Sequence, residues 1–165
     1  MTEVNSQTTT AVPVLDSKQL LDHWLGTRRA TRKFIEAFPE KELFEFSVGG
    51  MRTFSTLALE FIGMAVPTLI GITTREWPMN AKTEPPKTKA DLLRMWDETT
   101  DGINEHWPKI TRERFQETDK AFGQWEMTMY GLIFYLIDNE IHHRGQGSVY
   151  LRALGIEPPF FYNRD

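Results

Sequence analysis

The sequence predicts an all-α fold, a four-helix bundle with short loops and one long proline-rich connection. Three observations lead there. Apolar residues recur at alternating three- and four-residue spacing in four separated segments, the period of a helix with one buried face. No segment keeps up the apolar–polar alternation of a half-buried strand. Turn residues do not recur at hairpin spacing and no internal repeat is visible, so strand content should be small or absent. At 165 residues, 40% of them hydrophobic and 12% aromatic, the chain has the length and the apolar surface for one domain with one core.

The elements follow in order. Residues 1–12, with Ser6 and the run Thr8-Thr9-Thr10, read as a mobile tail, and residues 13–165 as the single domain. Asp16 or Ser17 can cap a first helix whose inward positions are Leu20, Trp24, Phe34 and Phe38, with Thr27 and Thr31 in the same register; Pro39 ends it. The basic residues Arg28, Arg29, Arg32 and Lys33 are expected on its solvated side. Gly49-Gly50 marks a loop. Thr53 then opens a second helix with Phe54, Leu57, Ala58, Phe61, Ile62 and Ala65 facing inward, and Pro67 either kinks it or ends its regular part. Thr73 to Lys87, carrying Pro78, Pro85 and Pro86, is the long connection, of the kind that often borders a site.

A third helix is predicted from about Thr88 to Trp107, stopped by Pro108. The polar interval to Phe122 admits either a short helical turn or a strand pair. From Gln124 to Leu154 the pattern is helical again. Ten of the thirteen residues from Trp125 to Ile137 are apolar, on all sides, which predicts a helix in the middle of the bundle.

Charge and composition exclude several classes of function. A net charge of -4 provides no electrostatic footprint for a phosphate backbone, so nucleic acid is not an expected partner. The absence of cysteine removes disulfides, thiolate ligands and a cysteine nucleophile, and fits a reducing compartment. No signal-peptide pattern opens the chain and nowhere do 18 apolar residues run unbroken, so the expectation is a cytoplasmic protein without a membrane partner.

The segment with the most chemistry is Asp138-Asn139-Glu140-Ile141-His142-His143-Arg144-Gly145-Gln146. Asn139 and His143 stand four residues apart, so on a helix they share a face and could grip one ion together. His142 is one residue round the helix and is expected in an inter-helix or surface hydrogen bond; His23 and His106 lack ligand spacing.

Two blocks resemble the DinB-like (DinB/YfiT) family, a group regarded as metalloenzymes and including damage-inducible members. One is Gly50-Met51-Arg52-Thr53-Phe54-Ser55-Thr56-Leu57-Ala58-Leu59-Glu60. The other is Asn139 to Gln146, continuing through Val149-Tyr150-Leu151-Arg152, Leu154-Gly155 and Pro158-Pro159-Phe160-Phe161-Tyr162. The resemblance implies a four-helix bundle holding a divalent metal through one histidine of the second helix and two of the last. It also implies a homodimer, and among characterised relatives thiol-dependent transferases and isomerases. In this chain the matching positions are Glu60, Asn139 and His143, so two of the three histidines are replaced.

That set is harder in character and holds zinc, nickel, manganese or iron less tightly than three imidazoles, or holds none. Glu60 shares a flank with Leu57 and Met64, where a carboxylate either faces water or pairs with His143. Two functions follow. One is a metal-dependent enzyme of the small-molecule or thiol transfer or hydrolysis class with a variant metal site. The other is a non-catalytic dimeric bundle, stress-related or ligand-binding, in which the ancestral site is degenerate. Arg144 and Gln146 are expected to be structural ties.

Overall fold

The computed structural model describes residues 14–78 and 84–165, so the segment expected as a tail, and the middle of the proline-rich connection, lie outside the described residues. Four long helices build the bundle: α1 (Ser17–Ala37), α3 (Phe54–Thr74), α4 (Lys89–His106) and α6 (Met129–Ala153). Short helices α2 (Glu40–Glu45) and α5 (Arg112–Gln116) sit between them, with a single 3-10 turn at Trp107–Lys109. One antiparallel hairpin, β1 (Thr118–Ala121) and β2 (Trp125–Thr128), pairs Thr118 with Thr128 and Ala121 with Trp125.

The helix starts follow from side-chain capping. Asp16 accepts from the Gln19 amide while the Gln19 side chain bonds back to the Asp16 amide, a complete capping box. Thr53, Thr88, Thr111 and Thr128 each accept from the third amide of the helix they open, satisfying a donor with no intrahelical partner. Pro67 neither ends nor bounds α3, which runs on to Thr74. By length and composition α3 could cross a membrane, a test that core helices also pass, and ten of its residues are buried within the bundle.

Three expectations are corrected. The last helix starts at Met129, because Trp125–Thr128 is a strand: Thr128 caps α6 and β2 pairs with β1 immediately before it. The interval before it holds both a short helix and a strand. Next, α6 is apolar all round in its first half without being central all round, since Tyr130, Phe134 and Tyr135 are exposed. Finally, Arg28 lies in the core at 1% exposure, where a solvated helix side was expected.

Arg28 belongs to a polar network threaded between the two apolar halves of the core. Its Nε donates to Thr100 Oγ1 at 2.8 Å and its Nη2 to the Trp96 carbonyl at 2.9 Å, and the guanidinium stacks 3.9 Å over the Trp96 ring. Its Nη1 stands 3.8 Å from Glu140 Oε2, both side chains almost fully buried. Thr31 Oγ1 donates to Glu140 Oε1 at 2.6 Å, and Arg144 Nη1 donates to the Thr27 carbonyl and to Thr31 Oγ1 at 3.0 Å. Burial pushes the Arg28 guanidinium down to about 10, which leaves it cationic at neutral pH, and burial pushes the Glu140 carboxyl up against the opposing pull of Arg28.

The network joins α1, α4 and α6, and Glu140 is the acid that faces both of its guanidinium groups. Replacing it by leucine leaves a buried guanidinium without its counter-charge. Glu140→Leu is expected to lower the unfolding free energy by about 3–5 kcal/mol, read from urea denaturation followed by circular dichroism.

Candidate functional site

The loop from Phe46 to Thr53 delivers the first component. Gly49 and Gly50 both take positive φ, 61° and 75°, a conformation nearly free of cost only for glycine, and the chain reverses there. It then re-enters α3 at the Thr53 cap. Tyr150 of α6 fixes the approach by donating its hydroxyl to the Arg52 carbonyl at 2.9 Å. Arg52 is thereby held at the start of α3, with its side chain reaching along the helix toward Glu60.

Glu60, Asn139 and His143 do come together. Asn139 Nδ2 donates to Glu60 Oε1 at 3.0 Å, and His143 Nε2 stands 3.6 Å from the same oxygen. The His143 side chain is 12% exposed and that of Glu60 26%, so the pair lies at the rim of the bundle, open on one side. Glu60 therefore does not simply face water: its direct bonds go to Asn139 and Arg52, while His143, the partner expected for it, stands at 3.6 Å. His143 Nδ1 lies 3.0 Å from Gln146 Oε1, an acceptor, which selects the tautomer with the proton on Nδ1 and leaves the Nε2 lone pair facing the cluster. Gln146 Nε2 in turn approaches His142 Nε2 at 3.4 Å. Arg144, expected to tie the helix to loops or to pair with acids across a dimer, instead binds the Thr27 carbonyl and Thr31 of α1.

Arg52 is the member that the reading of candidate ligands passed over. Its Nη1 donates to Glu60 Oε2, and its Nη2 lies 3.4 Å from His143 Nε2. A guanidinium thus stands between the carboxylate and the imidazole. The available signal was Arg52 itself, within the same block as Glu60 and eight residues from it.

The consequence for a divalent ion can be judged from the donors. Two donors on a tetrahedral ion lie about 3.4 Å apart, so the 3.6 Å between Glu60 Oε1 and His143 Nε2 suits two ligands of one metal. The remainder of the site does not. A carboxylate can only accept, so the Asn139 amide must present its NH2 group to it, and its carbonyl is turned away. Arg52 covers the other carboxylate oxygen with a positive charge. Among the described residues no three His, Asp or Glu side chains converge as ligands. These residues do not fit a resident metal ion.

Electrostatics agree with the geometry. Partial burial pushes the Glu60 carboxyl up, but the hydrogen bonds from Asn139 and Arg52, the Arg52 charge and His143 outweigh it and hold the carboxyl below its usual range.

A model of the DinB family matches residues 6–165 of this chain. No curated protein matches it. Among solved structures, a DinB-like protein from Bacillus cereus is similar at 19% identity and a TM-score of 0.72, covering 88% of this chain and 97% of its own. The DinB-like protein YjoA from Bacillus subtilis is similar at 19% identity and a TM-score of 0.68, covering 87% of this chain and 97% of its own. At such identities the likeness is one of fold.

A carboxyl whose pKa falls on folding contributes stability at pH above its unfolded value, and that contribution disappears as pH falls through the folded value. For Glu60 the expected contribution is about 1 kcal/mol or less, since the pair is partly exposed. The stability difference between wild type and Glu60→Gln should therefore be constant at neutral pH and vanish progressively below about pH 4, measured by denaturant midpoints across that range.

Proposed function

The chain belongs to the DinB family, and on that premise we propose that it is a metal-independent, ligand-binding member. In it the guanidinium of Arg52 supplies the positive charge that the family resemblance assigns to a divalent ion. The observation that carries this reading is the position of Arg52, bonded to Glu60 and 3.4 Å from His143. A guanidinium offers planar, directional donors and a positive charge, but it has no vacant coordination position at which to bind or activate water. Its side chain is 49% exposed, so part of the fork still faces solvent and is available to a polar or anionic group of a ligand.

Metal-dependent chemistry through Glu60, Asn139 and His143, the other function expected from the sequence, would need Arg52 to withdraw from the carboxylate and Asn139 to reverse its amide. A metal-free acid–base couple is also disfavoured. At 3.6 Å, Glu60 Oε1 and His143 Nε2 are beyond direct hydrogen-bond reach, and no other described carboxylate lies within 4.0 Å of His143. The non-catalytic reading needs neither rearrangement.

We further propose that two copies pair through the outer stripe of α6. Tyr130, Phe134 and Val149 are exposed there, and Gly145, with open space where a Cβ would stand, lies between them. Sedimentation should give a dimer for wild type and a monomer for Phe134→Glu.

Metal analysis tests the main reading. Protein purified without chelator should carry well under one equivalent of zinc, nickel, manganese or iron. The triple substitution Arg52→Ala, Glu60→His, Asn139→His should bind zinc about 100-fold or more tightly than wild type by competition with a chromophoric chelator. A stoichiometric ion in the wild-type protein would refute the proposal.

A further inference from the structure

A cavity of about 500 Å³ opens between α3, α6 and the hairpin, walled by Met64, Thr68, Phe122, Trp125, Leu132 and Tyr135. Gln124 and Met127 complete the lining. It is distinct from the Arg52 cluster. Met64 is the partition, its sulfur 3.9 Å from Asn139 Nδ2 while its side chain also borders the cavity.

Four features of the wall specify an occupant. Among the described residues no lining side chain is Asp, Glu, Lys, Arg or His, although a quarter of the chain is charged, so no charge on the described wall compensates a charged guest. Aromatic and thioether groups face the space from three elements, an arrangement that favours contact with ring faces and edges. Thr68, 1% exposed, brings a hydroxyl to this largely apolar lining, where a polar group of a guest can bond to it. Finally, Trp125 at 56% exposure and Tyr135 at 49% leave aromatic surface in water that a guest would cover.

The hairpin adds an independent sign. Its turn places Phe122 at φ 52° and Gly123 at φ 69°, with the Gln124 amide donating to the Ala121 carbonyl at 3.0 Å. The first central position of such a turn suits asparagine or glycine, and a bulky aromatic there is strained. Phe122 packs 5.2 Å from the Trp77 ring and 6.3 Å from that of Trp125, and forms part of the cavity wall. The strained residue is one that shapes the pocket.

We propose that this cavity is a binding site for an uncharged, predominantly apolar small molecule carrying an aromatic ring, with one hydrogen-bonding group directed at Thr68. The volume falls within the range of small-molecule sites and is too confined for a docked helix. The proposal goes beyond the metal-independent reading and does not depend on it, because no member of the Arg52 cluster lines the cavity.

The probe is N-phenyl-1-naphthylamine, an uncharged aromatic dye, titrated into the full chain with its emission and tryptophan quenching followed together. Saturable binding of one dye per chain is expected, with 8-anilino-1-naphthalenesulfonate, its anionic counterpart, at least tenfold weaker. Phe122→Asn removes part of the wall while relaxing the turn, so it should weaken the dye tenfold or more without lowering the melting temperature. Met127→Trp, on the partly exposed hairpin, should fill the space and weaken the dye similarly. Absence of saturable binding, tighter binding of the sulfonate, or unchanged affinity in both variants would overturn the proposal.

Discussion

Glu140 is the residue from which the orientation of α6 follows. It is an acid at 1% exposure, and the energetic cost of burying it is offset only while Arg28, Thr31 and Arg144 meet it from the correct side. That requirement fixes the rotation of α6 about its axis. With about 100° per residue, Arg144 falls within roughly 40° of Glu140 and also points into the core, whereas Asn139 and His143 both fall on the same flank, roughly 100° and 60° away. The flank they share faces α3. Convergence of Glu60, Asn139 and His143 is thus a product of a charge network on a different side of the helix. Gly147 lets the same two helices close together, since a Cβ there would stand 2.4 Å from the Phe54 ring.

On the metal-independent reading proposed above, Glu60 takes the organising role that an ion would have. A divalent metal would draw a carboxylate, an amide carbonyl and an imidazole together by coordination. Here Glu60 alone organises the cluster, accepting from Arg52 on one oxygen and from Asn139 on the other. The replacement of two imidazoles by a carboxylate and an amide therefore forms one coherent set with the arginine. A carboxylate needs donors, and asparagine and arginine are donors. The presence of Asn139 where a histidine is expected costs a ligand but satisfies Glu60.

Much of this was legible in the sequence because it rests on periodicity and capping. Thr53, Thr88 and the Asp16 box mark helix starts by local chemistry, and the pairing of Asn139 with His143 follows from helical spacing alone. The burial of Arg28 was not legible, because a basic cluster on an amphipathic helix reads as solvated unless the acid that receives it is known. That acid is on another helix, 112 residues away in the chain. Arg52 was hidden for a similar reason: it reaches the site from a loop, and loops carry no period. The hairpin was missed where its second strand is as apolar as the helix that follows, and only the cap at Thr128 separates the two.

That same boundary explains why a cavity exists at all. The hairpin is held at its base by charge-assisted bonds and nearer its tip by apolar packing. Buried Arg114 donates to the Ile72 carbonyl at the end of α3, to Glu117 at 2.8 Å and to Asp119 at 2.6 Å, while the Met129 amide bonds to the Glu117 carbonyl. These bonds fix where β1 leaves and β2 returns. Beyond them the strand ladder, the buried Ala121 and the rings of Phe122, Trp77 and Trp125 guide the tip, and the strained turn at Phe122 sets how those rings are presented. A hairpin tied by charge-assisted bonds at one end cannot slide down onto α3 and α6 to close the space by packing. The apolar face of α6 that looked destined for the middle of a bundle is instead left as the floor of a pocket.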